Sequence, residues 1–348
     1  MNTFFLDRLN SEPHALAFAG QSTPWPVTLA DQSANPVLDE ALHTHADAAQ
    51  ALLYPVSADL LATTGRPVDL FGFEPNPARL GAAAAASASV PGIALAQLGA
   101  LLDAASLGYN PAVAKPVAVL GHSQGVLAVH MVQAIVEAGS IEAASAQIDE
   151  ILAIATLIGV AGTRQARQLG LAARHGEATP MLSVKDITRA QVDALIKRVS
   201  GARGPIAVAV TNSATHYVLS GYPEDLAAFG VEVAKEHKHQ AKLREEKVRG
   251  GRVFEPVLEY LDVTLPFHSP LMAEAVSQAV SWAESCGINA DHARELAAEV
   301  LLNHVDWAAR VRALMKSTDP SALWVLDFGP GNTVGKLFST VAQGTGVG

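Results

Sequence analysis

Cysteine is nearly missing: Cys286 is the single one in 348 residues. An internal disulfide and a multi-cysteine metal site are excluded, and a reducing, cytoplasmic setting is the simple expectation. Aromatic residues are sparse at 5 %, and charged residues make up 17 % against 49 % hydrophobic ones. That ratio excludes a disordered chain and supplies a sizeable core, in one large domain or about two. Positive charge is short too, with 24 Lys and Arg against 34 Asp and Glu, a net −10. The basic footprint of a nucleic-acid binder is therefore missing. The N-terminus carries Asp7, Arg8 and Glu12 and no long apolar core, unlike a secretory signal. The 23 residues Leu80–Leu102 lack any charge and have bilayer length. They are mostly Ala, Gly and Ser with Pro91 and Gly92 in the middle, which reads as a loop over 81–90 and a buried helix over 91–106, not a membrane span.

What is present is an alternation of short apolar runs and helical periodicity. Ala15–Ala19 reads as a strand, and residues 36–54 as a helix interrupted at Pro55. Val117–Leu120 reads as a buried strand, Gln124–Ala138 as a helix stopped by Gly139, and Ala143–Leu169 as a second long helix. The character changes near Pro180. Met181–Lys185 looks like a strand, and Thr188 with Gln191 has capping-box spacing for a helix to Val199. Ile206–Thr211 and His216–Ser220 form a hairpin pattern, Pro223–Lys235 a helix, and Val263–Pro266 a strand. Strand, helix, hairpin, helix, strand is a ferredoxin-like order, inserted here into a larger α/β body. That body resumes with helices from Pro270 and near Asp291–Leu301 and a strand at Leu323–Phe328.

Gly121-His122-Ser123-Gln124-Gly125 is a G-x-S-x-G string between the predicted strand and helix. Small residues two before and two after the serine suit a strained turn that exposes the Ser123 hydroxyl, with the Gln124 N–H aimed where an oxyanion would form. A serine nucleophile needs a base. Of 12 histidines, His268 stands out, lying between a predicted strand and helix in Leu265-Pro266-Phe267-His268-Ser269-Pro270. The competing readings are a capping serine and a surface turn histidine.

These residues resemble the malonyl/acetyl-CoA:acyl-carrier-protein transacylase family, the acyltransferase domains of fatty acid and polyketide synthases. Phe18-Ala19-Gly20-Gln21, Gly121–Gly125, Thr211-Asn212-Ser213 with Ser220-Gly221, Pro266–Met272, Asn303–Trp307 and Phe328–Gly331 match its motifs in order, over nearly the whole chain. The Pro91-Gly92 segment and Lys247-Val248-Arg249-Gly250-Gly251 look most like the N-terminal acetyltransferase domain of bacterial type I fatty acid synthase. The resemblance implies an α/β fold: a hydrolase-like core with a short parallel sheet over 1–179 and 258–348, and a ferredoxin-like subdomain over 180–257 with a basic loop at its end. It also implies a ping-pong reaction. Ser123, activated by His268, takes an acyl group from acyl-CoA and passes it to the phosphopantetheine thiol of an acyl carrier protein. An imidazole titrating near about 6.5 suits that double duty. The resemblance assigns the oxyanion hole to the N–H groups of Gln21 and Gln124, and the orientation of His268 to the Asn303 carbonyl. His122, Ile158, Asn212 and Phe267 would line the acyl pocket. No cofactor or metal is implied, since acyl-CoA is a substrate and the partner carries the pantetheine. The expected partners are CoA, the carrier protein and other synthase domains, not a membrane.

Malonyl-selective members carry an arginine on the second helix after the elbow, forked onto the malonyl carboxylate. Ile158 stands at that place here, which favours an uncharged group such as acetyl. Phe267 would fill the space of an α-branch. Two departures touch pocket shape: Ser22 follows Gln21 where many members have Gly, and Val90-Pro91-Gly92 replaces a Q-P-A-type sequence. The alternatives are malonyl transfer, a serine thioesterase or esterase using Asp186, Asp193 or Asp225, and a docking domain without activity. Lys235–Arg252 holds seven Lys/Arg against three Glu, which reads as a solvated loop or as a patch for CoA phosphates or an acidic carrier.

Overall fold

The central strand of the core sheet, β1 (His14–Phe18), is buried along its whole length, as expected of a short apolar strand covered on both faces. In this computed structural model, which describes residues 9, 12–70, 85–171, 178–199, 201–246 and 254–344, β1 lies between β2 (Ala118–Gly121) and β8 (Trp324–Asp327). Both pairings are parallel, with Phe18 opposite Gly121 and Ala17 opposite Asp327. The three carboxyl ends are therefore level, and the loops that leave them meet in one place, where α/β sheets form their sites.

Helices surround this sheet. After β1 come α1 (Trp25–Ser33), α2 (Pro36–Leu52), α3 (Ser57–Thr64) and α4 (Ala86–Ser106); α5 (Val126–Ala138) and α6 (Ser145–Gln168) follow β2. The sequence patterns miss α1 and α3. The helix expected from residue 91 starts at Ala86, so Pro91 lies inside its first turns; residues 81–84 of the expected loop fall outside the described residues. Pro91 is the sixth residue of that helix and has no N–H to give the Ser87 carbonyl, so one bond of the backbone ladder is missing there. Helices α4 and α6 are both long and apolar enough to cross a bilayer, yet 72 % of each apolar window is buried, and they pack against each other in the core.

The chain then forms β3 (Met181–Lys185), α7 (Arg189–Ile196), β4 (Ala207–Ser213), β5 (His216–Ser220), α8 (Pro223–Glu245) and β6 (Val257–Tyr260). The sheet order is β6-β3-β5-β4, with each neighbouring pair antiparallel, which is a ferredoxin-like arrangement with its own apolar cluster around Leu182, Leu219 and Phe229. The capping box of Thr188 and Gln191 is present. Two expectations are corrected. The last strand is 257–260, not 263–266. Val263, Leu265 and Phe267 are alternate apolar residues and mimic a strand, but the segment is irregular backbone, and residues 265–269 are all buried as it runs to His268. The true strand is an edge strand with Val257 and Tyr260 exposed, so its alternation is weak. The basic stretch is also not a loop as far as Glu245: it is the second half of α8. Residues 236–245 are rich in helix formers and lack Gly and Pro. Lys235 pairs with Glu232 and Lys242 with Glu246, and between Lys235 and Glu246 four cations face three carboxylates. Lys247, Arg249 and Arg252, with the Lys247–Gly251 motif, fall outside the described residues.

The remainder returns to the core: α9 (Ala273–Ser285), α10 (Ala290–Leu301), the two-residue β7 (Val305–Asp306), α11 (Trp307–Ser317) and α12 (Thr333–Gly344). Strand β7 pairs with β4, so the second sheet is joined to the segment that carries Asn303.

Candidate active site

Strand β2 ends at Gly121, and the chain turns through His122 into a single 3-10 turn, Ser123–Gly125, before α5. Ser123 has a φ of +55°, a left-handed conformation that costs a non-glycine residue about 1 kcal/mol or more. The turn is held by His122 N–H donating to the Phe18 carbonyl and Gly125 N–H to the His122 carbonyl. Glycine is required around it: a Cβ on Gly125 would lie 2.3 Å from the Phe18 oxygen, and one on Gly20 would lie 2.8 Å from the Ser123 Cβ.

His268 meets the serine from the irregular segment before α9. Its Nε2 is 2.7 Å from the Ser123 Oγ, and its Nδ1 is 2.8 Å from the Asn303 carbonyl oxygen. That carbonyl accepts only, so Nδ1 carries the proton and Nε2 presents its lone pair to the serine hydroxyl. His268, too, has a positive φ, +56°. Burial, opposed by the Asn303 hydrogen bond and reinforced by the charges of His122, His304 and Arg310, lowers its pKa to about 3. The ordinary imidazole value expected from sequence is thus corrected: the resting base is neutral throughout the physiological range.

A pH prediction follows. kcat/KM for the first acyl-CoA should hold as pH falls below about 6.5, with no acid limb there, because the free base stays unprotonated. Stability moves the other way. The unfolded chain gains this proton at a higher pH than the folded one, so stability is full above about 6.5 and falls as pH drops toward 3. A rate profile with an acid limb near 6.5 would show that His268 is solvated in solution.

The other expected site residues are placed as follows. The Gln21 side-chain amide donates to the Gln124 side-chain carbonyl, and the Gln124 amide donates to the Val90 carbonyl at 3.2 Å, which ties the β1 loop, the elbow and α4 together. Asn212, on β4, accepts at its Oδ1 from His122 Nε2 at 2.8 Å, and the His122 ring stands edge-on to Trp307 at 5.4 Å. Burial pushes the His122 pKa down. Phe267 is buried, 6.5 Å from His268 between ring centroids. Ile158 is fully buried in α6. The two arginines further along that helix are engaged elsewhere: Arg164 lies 5.9 Å over Trp282, and Arg167 donates to the Thr63 carbonyl. Two of the three carboxylates offered for a hydrolase triad are also occupied elsewhere. Asp193 holds Arg189 at 2.9 Å, and Asp225 accepts from the N–H groups of Arg203 and Gly204.

Two residues escape the sequence reading. Arg310, exposed on α11, donates to the Gly121 carbonyl at 2.9 Å and is the fixed cation acting on His268. It lies three residues after Trp307 and so on the same helix face, the one signal that could have found it. His216, at the start of β5, contacts Asn212 at 3.4 Å.

Comparison with known proteins bears on the fold. Residues 180–260 match the family model of the fatty acid synthase central AT domain. The fatty acid synthase beta subunit hexB of Dothistroma septosporum is 25 % identical, over 66 % of this chain and 13 % of that subunit. The chain thus spans about one eighth of the length of the curated relatives it matches. MCAT from Mycobacterium tuberculosis superposes with a TM-score of 0.61 at 19 % identity, covering 95 % of this chain and 94 % of that one. The malonyl-transacylase PlMCAT, solved with the type II polyketide synthase acyl-carrier protein AntF, gives 0.58 at 18 % identity, covering 95 % and 93 %. Fold, motif order and these matches make the chain similar to the acyltransferases of fatty acid synthases and to malonyl-CoA:acyl carrier protein transacylases.

Proposed function

We propose that this chain transfers an acyl group, acetyl in particular, from CoA to the phosphopantetheine thiol of an acyl carrier protein through an acyl-Ser123 ester. The observation that carries the transfer is the Ser123–His268–Asn303 carbonyl alignment. As Ser123 Oγ attacks the thioester carbonyl, its proton passes to His268 Nε2. The imidazolium is held by the Asn303 carbonyl at Nδ1, and its proton then leaves with the CoA thiolate. In the second half the carrier thiol gives its proton to the same nitrogen and attacks the ester, and Ser123 recovers the proton. Backbone N–H groups of Gln124 and Gln21 are the donors assigned to the oxyanion. The chain itself needs no cofactor in this scheme. CoA, a carrier protein and neighbouring synthase domains are its partners, in the cytoplasm.

Acetyl is favoured by Ile158. A malonyl carboxylate brought to that buried position would lack a counter-charge, since Arg164 and Arg167 are held elsewhere. Malonyl is the second reading, supported by the names of structurally similar proteins and by Arg310, a cation beside the elbow. The test is intact-protein mass spectrometry after brief incubation with either acyl-CoA. Acetyl should accumulate on Ser123 in preference to malonyl, and Ile158→Arg should gain malonyl loading at the expense of acetyl. Equal or greater malonyl loading of the unaltered protein would overturn the acetyl assignment and leave acyl transfer standing. Release of CoA with no adduct would point to hydrolysis.

A further inference from the structure

We propose that His216 is a positioning residue: by accepting at Nε2 it orients the Asn212 amide, and through it fixes which ring nitrogen of His122 carries the proton. The effect on turnover rests on the acyl-transfer reading; the proton position does not. His216 Nε2 lies 3.0 Å from the Ser183 Oγ on β3 and 3.4 Å from the Asn212 Nδ2 on β4. An amide nitrogen can only donate, so His216 Nε2 must present its lone pair, shared with the Ser183 hydroxyl, and carry its proton on Nδ1. On the other side of the same amide, Oδ1 can only accept, so His122 donates from Nε2 over 2.8 Å and keeps its lone pair on Nδ1. Donation therefore runs one way, from His122 at the elbow through Asn212 to His216 in the small sheet. Ser183 and Asn212 are 3 % and 4 % exposed, so solvent offers little substitute for either link.

The opposite arrangement is also a closed one. A proton on His216 Nε2 could still go to the Ser183 oxygen, but it would face an amide nitrogen that cannot accept. The amide would turn over, present Nδ2 to His122 and force the His122 proton to Nδ1. The groups acting on His216 oppose the doubly protonated form of that state, and the Asn212 amide nitrogen facing Nε2 opposes its neutral form. Burial, Lys185 from β3 and His122 from the elbow disfavour its charged form, Glu259 from β6 favours it, and the balance places its pKa at about 4. His122 immediately precedes the nucleophile, so the direction of this chain sets whether its Nδ1 is an acceptor or a donor.

The experiment is 15N spectroscopy of the histidine rings in the whole chain, with acyl transfer as second readout. In the unaltered protein the His122 proton should sit on Nε2. His216→Phe, which removes the acceptor, should leave His122 with both nitrogens partly protonated, and His216→Gln, which restores an acceptor, should return the proton to Nε2. The Phe variant should lose about tenfold in kcat with little change in KM for acyl-CoA, and Gln should recover most of it, the effect of one hydrogen bond. A His122 proton on Nδ1 in the unaltered protein overturns the proposal even if the Phe variant does not fold. An unchanged His122 in a folded Phe variant overturns it as well. A His122 that responds as described in a protein that transfers no acyl group would leave the relay intact and remove the functional reading.

Discussion

Ser123→Ala should form no acyl adduct and lose at least about 10³-fold in acyl transfer, and His268→Ala should lose a similar factor. The double variant should be no worse than the more damaging single one. The reason is that the two side chains perform one step: a serine hydroxyl is a weak nucleophile unless its proton has somewhere to go, and His268 Nε2 at 2.7 Å has no other proton to take. Removing either partner removes the step. Whatever transfer remains then comes from positioning and the oxyanion donors, which neither substitution touches. Single-turnover transfer from labelled acyl-CoA, followed by mass, measures this. Losses that multiply in the double variant would mean that Ser123 and His268 act separately. Stability gives a second signature. Because Ser123 sits at a φ of +55°, Ser123→Gly should melt higher than Ser123→Ala, by the left-handed strain of about 1 kcal/mol.

The elbow was legible in the sequence because its chemistry and its packing coincide. An apolar run, two glycines flanking a serine, and a helix with a glycine stop leave few other structures for Gly121–Gly139. The capping box at Thr188 and the hairpin around Asn212 were legible for the same reason: local hydrogen-bonding chemistry dictates them. What orients His268 was not legible from residue types. A backbone carbonyl carries no sequence signal, and Asn303 could be named only through a family resemblance. The last strand of the small sheet differs from its sequence pattern because Val263, Leu265 and Phe267 alternate in type within irregular backbone whose residues 265–269 are all buried. The second half of α8 looks like a loop from its run of charges, although its residues are good helix formers. Arg310 and His216 act through a carbonyl and an amide on other elements, contacts set by tertiary placement alone.

Placement of the elbow depends on a close approach of backbone, and its loss should be a large stability effect. Gly125→Ala puts a Cβ 2.3 Å from the Phe18 oxygen and 2.8 Å from the Ala19 oxygen, both backbone atoms of the central strand's end. A flexible side chain could move aside; these atoms cannot. The Phe18 carbonyl also accepts from His122, so shifting it breaks the turn that presents Ser123. The variant should lose about 3 kcal/mol or more, and the fraction that folds should transfer acyl groups poorly. Gly139→Ala is the control. It meets nothing within 4 Å but adopts a φ of +91°, so it should cost only about 1 kcal/mol and leave transfer intact. Denaturant titration of both variants separates the two mechanisms, since one is steric and coupled to the nucleophile while the other is conformational and remote from it. A Gly125→Ala protein as stable and active as its parent would mean that α5 does not rest directly on β1, and the account of how Ser123 is held out from the sheet would have to be abandoned.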